Sequence, residues 1–168
     1  MAFARRDNIS AREGMLLGSL LAGMAFSNAG VGAVHALAYP LGGQFNIAHG
    51  VANALLLPYV LAANIVGAID RLGVISKVMG ITGPYRTKKT LAFSVVEYIR
   101  ELAEDVGIPR SLQEVGIPEE ALPEMARSAS NVSRLLGNNP RQLTEDQILA
   151  IYRNAYDGKL GKRIDFMD

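Results

Sequence analysis

A chain of 168 residues is long enough to bury most of its apolar surface in a single core, so one compact domain is the default expectation. Seventeen basic against sixteen acidic side chains leave a net charge of +1, and no Lys/Arg cluster is dense enough to track a phosphate backbone, which sets nucleic acid aside as a partner. The absence of cysteine excludes a disulfide framework and a thiolate metal site, and fits a reducing, cytoplasmic setting.

Residues 1–9 read as an N-terminal extension, because Arg5 and Arg6 are followed by Asp7 and Asn8 rather than by the apolar core of a secretion signal. Ser10-Ala11-Arg12-Glu13 has the capping-box pattern, in which hydroxyl and carboxylate each satisfy an orphan amide, and it predicts a helix from about Ala11 towards Asn28. Gly14, Gly18 and Gly23 lower helix propensity but let another backbone approach closely, as suits a helix among helices. Between Glu13 and Asp70 there is no Asp, Glu, Lys or Arg, and such a segment is expected to be buried. Its first part is long enough to cross a bilayer. Ser19, Ser27 and Asn28 interrupt it, however, and a mean hydropathy of +0.17 is modest, so the central helix of a soluble domain is preferred to a membrane hairpin and no membrane partner is expected.

A short helix is predicted over residues 34–39, stopped by Pro40 and followed by a loop at Leu41-Gly42-Gly43. From about Gly50 a second apolar helix runs through Val51, Leu55, Leu56, Val60 and Leu61, bent at Pro58. Past Asp70 ordinary charge density returns, with helices predicted over 68–79 (ended near Gly80) and 88–106 (ended by Gly107, with Pro109 beyond). Pro118 suits the first turn of a helix over 119–128, a short one follows over 130–136, and the capping box Thr144-Glu145-Asp146-Gln147 opens a last helix to about Tyr156. No segment alternates well enough to demand a strand, so the fold class is all-α. Residues 158–168 read as a flexible tail.

The charge-free stretch holds both histidines of the chain, His35 and His49. A buried imidazole without a partner costs a few kcal/mol, so each ring should be satisfied, either by nearby carbonyls or by a bound metal. His35 and Tyr39 are four apart and share a helix face, and a turn-back at Pro40 to Gly43 could bring His49 opposite His35. Two histidines are fewer donors than a catalytic zinc or iron site usually has, and spacing alone leaves both readings open.

The run Gly32-Ala-Val-His35-Ala-Leu-Ala-Tyr39-Pro-Leu-Gly-Gly-Gln-Phe-Asn46-Ile-Ala-His49-Gly50-Val-Ala-Asn53 closely resembles the metal-site signature of the iron-containing (group III) alcohol dehydrogenases. The stretch from Glu13 to Asn28 looks like that family's preceding core helix, and Leu57-Pro58-Tyr59-Val60 and Gly107-Ile108-Pro109 look like later landmarks. The resemblance covers about residues 10–156 and corresponds to the family's C-terminal helical domain, of dehydroquinate synthase-like type. It implies a divalent metal, iron(II) or zinc, that polarises an alcohol or aldehyde oxygen while hydride passes to or from NAD(P). By position, His35 and His49 match two metal ligands, Phe26 matches an aromatic wall of the substrate cleft, and Tyr39 stands where some members carry a third histidine near the nicotinamide.

The departures from that pattern are as informative. The family completes its metal site with an Asp and a His four apart on an earlier helix, and holds its cofactor on an N-terminal α/β domain with a glycine-rich phosphate loop. This sequence contains neither. Two imidazoles alone hold iron(II) weakly, so the chain by itself is expected to be a poor metal site and an inactive dehydrogenase. Residues 10–157 are thus expected to form a helical metal-site domain that is incomplete relative to the family. The competing reading is a stand-alone interaction module that has lost catalysis. Without the earlier helices, apolar faces at Leu16, Leu17, Leu20, Leu21 and Leu55 should be uncovered, which predicts a homo-oligomer.

Overall fold

A computed structural model describes residues 1–81 and 87–160 of the chain, and among them there is helix and no strand. The expected all-α class is therefore observed. The helices are α1 (Ile9–Ala29), α2 (Ala33–Phe45), α3 (His49–Val78), α4 (Lys88–Asp105), α5 (Leu122–Ser130, entered through a 3-10 turn at Glu119–Ala121), α6 (Ser133–Leu136) and α7 (Glu145–Tyr156). They fall into two compact units, residues 1–31 and the rest from Gly32 onward. The reading of a flexible tail over 158–168 falls largely outside the described residues.

The first unit is essentially α1. Its N-cap is Asn8, whose side chain accepts a hydrogen bond from the Ala11 amide at 3.0 Å, and helix begins at Ile9. The predicted capping box at Ser10 is not made, because an equally competent cap two residues earlier starts the helix sooner and leaves Ser10 inside its first turn. Gly30, at φ 74°, ends the helix and donates to the Phe26 carbonyl at 2.8 Å. None of the 21 residues of α1 is buried, and Leu16 is 74% exposed. The expectation that the whole charge-free stretch is buried therefore fails for its first third.

In the second unit the stretch behaves as its composition predicts. Leu37 and Leu41 of α2 and Leu55, Leu56 and Tyr59 of α3 are buried. Leu55, expected on an uncovered face, is 2% exposed. Helix α3 packs against α2, α4 and α7, while α2 also meets α5 and α6, and α5 pairs with α7. By length and composition α3 could cross a membrane, but most of its apolar window is buried inside this unit, as befits a core helix.

Both prolines stand within helices. Pro40 does not stop α2, which continues to Phe45, and Pro58 lies within α3, whose single run of 30 residues joins the two helices predicted on either side of residue 68. A proline in a helix interior costs about 3 kcal/mol through its missing amide and ring clash. Each fully buried large apolar side chain contributes about 1.5–3 kcal/mol, and such side chains flank both prolines, Leu37 and Leu41 around Pro40 and Leu56 and Val60 around Pro58, so burial outweighs the local penalty.

Beyond α3 the signals of the sequence are met closely. Helix α4 ends beside Gly107 at φ 78°, and Thr144 makes the complete capping box with Gln147 that opens α7. Three long-range polar contacts fasten these outer elements to the core. The Tyr152 hydroxyl donates to the Leu37 carbonyl at 2.7 Å, tying α7 to α2. The Tyr59 hydroxyl donates to the Arg110 carbonyl, so the landmarks at residues 57–60 and 107–109 come together in space. Asn64 and Asn139 exchange two amide hydrogen bonds, at 2.8 and 2.7 Å, and lay the loop after α6 against α3. A Cβ at Gly67 would meet the Pro140 carbonyl oxygen at 2.5 Å, so this approach of loop to helix requires glycine.

Candidate functional site

His35 lies in the first turn of α2 and His49 is the first residue of α3. The chain reverses between them at Asn46, which takes the left-handed conformation at φ 55° that asparagine tolerates better than most residues. From there it runs back beside α2, with the Ile47 amide donating to the Leu41 carbonyl at 3.1 Å. The turn-back predicted at Pro40 to Gly43 is thus replaced by one at Asn46, and its result is the one anticipated. The two imidazole rings stand 5.4 Å apart between centroids, tilted by 56°.

The two rings sit in different surroundings. His35 is partly buried, and its pKa is lowered, first by desolvation and then by the neighbouring His49. Both effects favour the neutral ring at neutral pH, which is the form that carries a free lone pair. His49 is exposed, with its Nε2 lying 3.1 Å from the Asn53 side-chain nitrogen. Among the described residues no group of three or more His, Asp or Glu side chains stands close enough to hold a metal. The pair thus fits a divalent ion as two imidazole donors of a larger set.

Tyr39 is not drawn into the pair. It is on α2 one turn past His35, but it is 47% exposed and makes no hydrogen bond or ring contact with either histidine. Phe26 belongs to the first unit, where it lies in the last turn of α1 and is 55% exposed. An open cleft lined by Arg110, Gln113, Glu114 and Lys159 shares no residue with the histidines.

The structural roles of three further residues are not evident from sequence alone. Asn53 contacts the His49 ring, and its only advance signal is the four-residue spacing on one helix. Tyr152 holds the backbone of α2 two residues beyond His35, across 115 residues of chain, and Tyr59 anchors α3 from the same core. Neither tyrosine carries a local pattern that separates it from an ordinary packed aromatic.

Comparison with known proteins agrees with this architecture. A family model described as "Fe-containing alcohol dehydrogenase family, C-terminal" matches residues 1–156. The long-chain-alcohol dehydrogenase 1 of Geobacillus thermodenitrificans is 43% identical over 159 residues, covering 95% of this chain and 40% of that protein. The 1,3-propanediol dehydrogenase of Klebsiella pneumoniae is 41% identical, over 92% of this chain and 40% of its own length. Among solved structures, an alcohol dehydrogenase from Oenococcus oeni superposes with a TM-score of 0.88 at 37% identity, again over 92% of this chain and 40% of the other. The chain thus spans about 40% of the length of the relatives it matches.

Proposed function

Since the chain belongs to the iron-containing alcohol dehydrogenase family, as its C-terminal helical region, we propose that it supplies two of the metal ligands, His35 and His49, to a dehydrogenase of small alcohols and aldehydes. The observation that carries this reading is the convergence of the two rings from separate helices to 5.4 Å between centroids. A divalent ion bound there, iron(II) or zinc, supplies Lewis-acid polarisation of the substrate oxygen, and NAD(P) supplies the hydride acceptor or donor.

The residues of this chain contribute binding and shape. His35 keeps its lone pair because partial burial and His49 disfavour its protonation. Tyr152, by fixing the Leu37 carbonyl, holds the start of α2 and so the direction of His35. Phe26 offers an aromatic surface to the carbon skeleton of the substrate, and the exposed Tyr39 offers a hydroxyl on the nicotinamide side. The remaining metal donors and the nucleotide site come from outside these 168 residues. The protein works in the cytoplasm, and taken alone the chain binds metal weakly and turns over no alcohol.

Metal content, iron(II) affinity and NAD-linked alcohol oxidation, measured on the chain and on His35→Ala and His49→Ala, test the reading. Weak binding lost in both variants, without turnover, is expected. Binding that survives both substitutions would overturn the assignment of ligands, and turnover by the chain alone would overturn its dependence on further residues.

A second reading, that of an interaction module, is favoured by one specific observation. Leu16, Leu17, Leu20 and Leu21 of α1 are each more than half exposed, an apolar surface that association between copies would bury.

A further inference from the structure

We propose that Asn53 is a positioning residue for His49, holding its neutral imidazole as the Nδ1–H tautomer with the lone pair on Nε2, where Asn53 occupies it until a ligand displaces that hydrogen bond. The argument begins at the His49 backbone. One end of the Asn53 amide lies 2.9 Å from the His49 carbonyl oxygen, which can only accept, so that end is the NH2 group. The same nitrogen lies 3.1 Å from His49 Nε2. Its two hydrogens then serve two acceptors, one each, and Nε2 must be unprotonated. In a neutral ring the proton therefore resides on Nδ1.

The opposite orientation of the amide is not available. Turning it over would set the Asn53 oxygen against the carbonyl oxygen of His49. Nor does another group dictate the orientation, because Asn53 Oδ1 is buried and has no hydrogen-bond partner among the described residues. The amide is therefore oriented by His49 alone, through its carbonyl and its ring. Helix geometry makes this pairing possible, since residues four apart lie one above the other on the same face of α3. The outcome is a selected tautomer and a fixed ring direction on an otherwise exposed side chain, and a metal taken up at Nε2 must replace the Asn53 hydrogen bond.

The tautomer assignment stands on these contacts alone, whereas its consequence for metal binding rests on the function proposed above. Long-range proton–nitrogen NMR of the histidine rings, recorded on the whole chain at a pH where both are neutral, reads the tautomer directly, with His49→Gln identifying the signals. The wild-type chain should show His49 protonated at Nδ1. Asn53→Ala, which removes the donor, should shift the ring towards the Nε2–H form. Asn53→Asp should do so more completely, because a carboxylate can only accept from Nε2. An Nε2–H tautomer in the wild type would overturn the proposal, as would an Nδ1–H tautomer that persists in both variants. Adding zinc(II) to the wild-type sample tests the metal reading separately. Histidine signals that do not respond to zinc would defeat that reading while leaving the role of Asn53 in place.

Discussion

Helices α1 and α3 are both apolar over long stretches and have opposite surroundings. Both are rich in leucine, alanine and glycine, and neither the 16 residues of α1 after Glu13 nor the first 21 of α3 include Asp, Glu, Lys or Arg, although α1 carries Met and Ser where α3 carries Val and Ile. Yet α3 buries Leu55, Leu56, Tyr59 and Val60 against its neighbours, while α1 buries nothing. An apolar composition states that a segment gains free energy by leaving water, at about 25 cal/mol per Å². It does not state which surface will cover it. For α3 the cover is encoded nearby, in the hairpin-like return of α2 and in the amphipathic helices α4 and α7.

The largest expected effect tests the α3 side of this contrast. Leu56 is fully buried, so Leu56→Ala removes apolar contacts and leaves a cavity. A loss of about 2–5 kcal/mol in unfolding free energy is expected by denaturant titration. A loss below 1 kcal/mol would mean that α3 is not the core helix described here. Gly67→Ala probes the same helix from its other partner. Its new Cβ would meet backbone rather than a mobile side chain, at 2.5 Å from the Pro140 oxygen, so the loop must move or the helix must shift. A destabilisation of about 1–3 kcal/mol follows, and the Asn64–Asn139 amide pair should weaken with it.

Much of this fold is legible in the sequence, and the exceptions have separable physical causes. Several local signals hold, although Ser10 loses the capping role to Asn8. Thr144 to Gln147 capped α7, and Gly107 closed α4, because in each case backbone groups needed that particular residue. A signal that expresses a cost is weaker evidence: Pro40 predicts a stop, yet α2 continues past it, because burial of Leu37 and Leu41 on either side outweighs a penalty of about 3 kcal/mol. At the site, His35 and His49 were legible from their motif, and the structure brings them together. Asn53 was not singled out, because an amide four residues after a histidine acquires meaning only once the carbonyl that orients it is seen.

Smaller effects sharpen the contrast at the tyrosines that fasten the core. Tyr152→Phe removes a buried hydrogen bond to Leu37 and leaves that carbonyl with one partner fewer, which should cost about 1 kcal/mol. Tyr59 supplies a pH signature. Burial pushes its pKa up to about 12, against roughly 10 in an unfolded chain. The folded state thus holds this proton more tightly, so the contribution of Tyr59 is fully present below pH 10. It is lost as pH rises from about 10 through 12. Tyr59→Phe should flatten that part of the stability curve, and an unchanged alkaline slope would show that the hydroxyl is not held as described.

The smallest effect on folding is expected on α1, and there the result decides most about the contrast. Leu17, Leu20 and Leu21 are each more than half exposed, so replacing all three by serine removes little burial from the isolated chain. Unfolding free energy at high dilution should change by about 0.5 kcal/mol or less. The same substitutions should have a large effect on association, because they break up the apolar surface that a second copy would cover. Light scattering at micromolar concentration should find the wild-type chain as a dimer or larger and the triple variant as a monomer. A monomeric wild type would remove the association and leave α1 as a helix whose cover lies elsewhere. A destabilisation comparable to that of Leu56→Ala, even in dilute solution, would remove the contrast itself, since α1 would then be contributing to a core as α3 does.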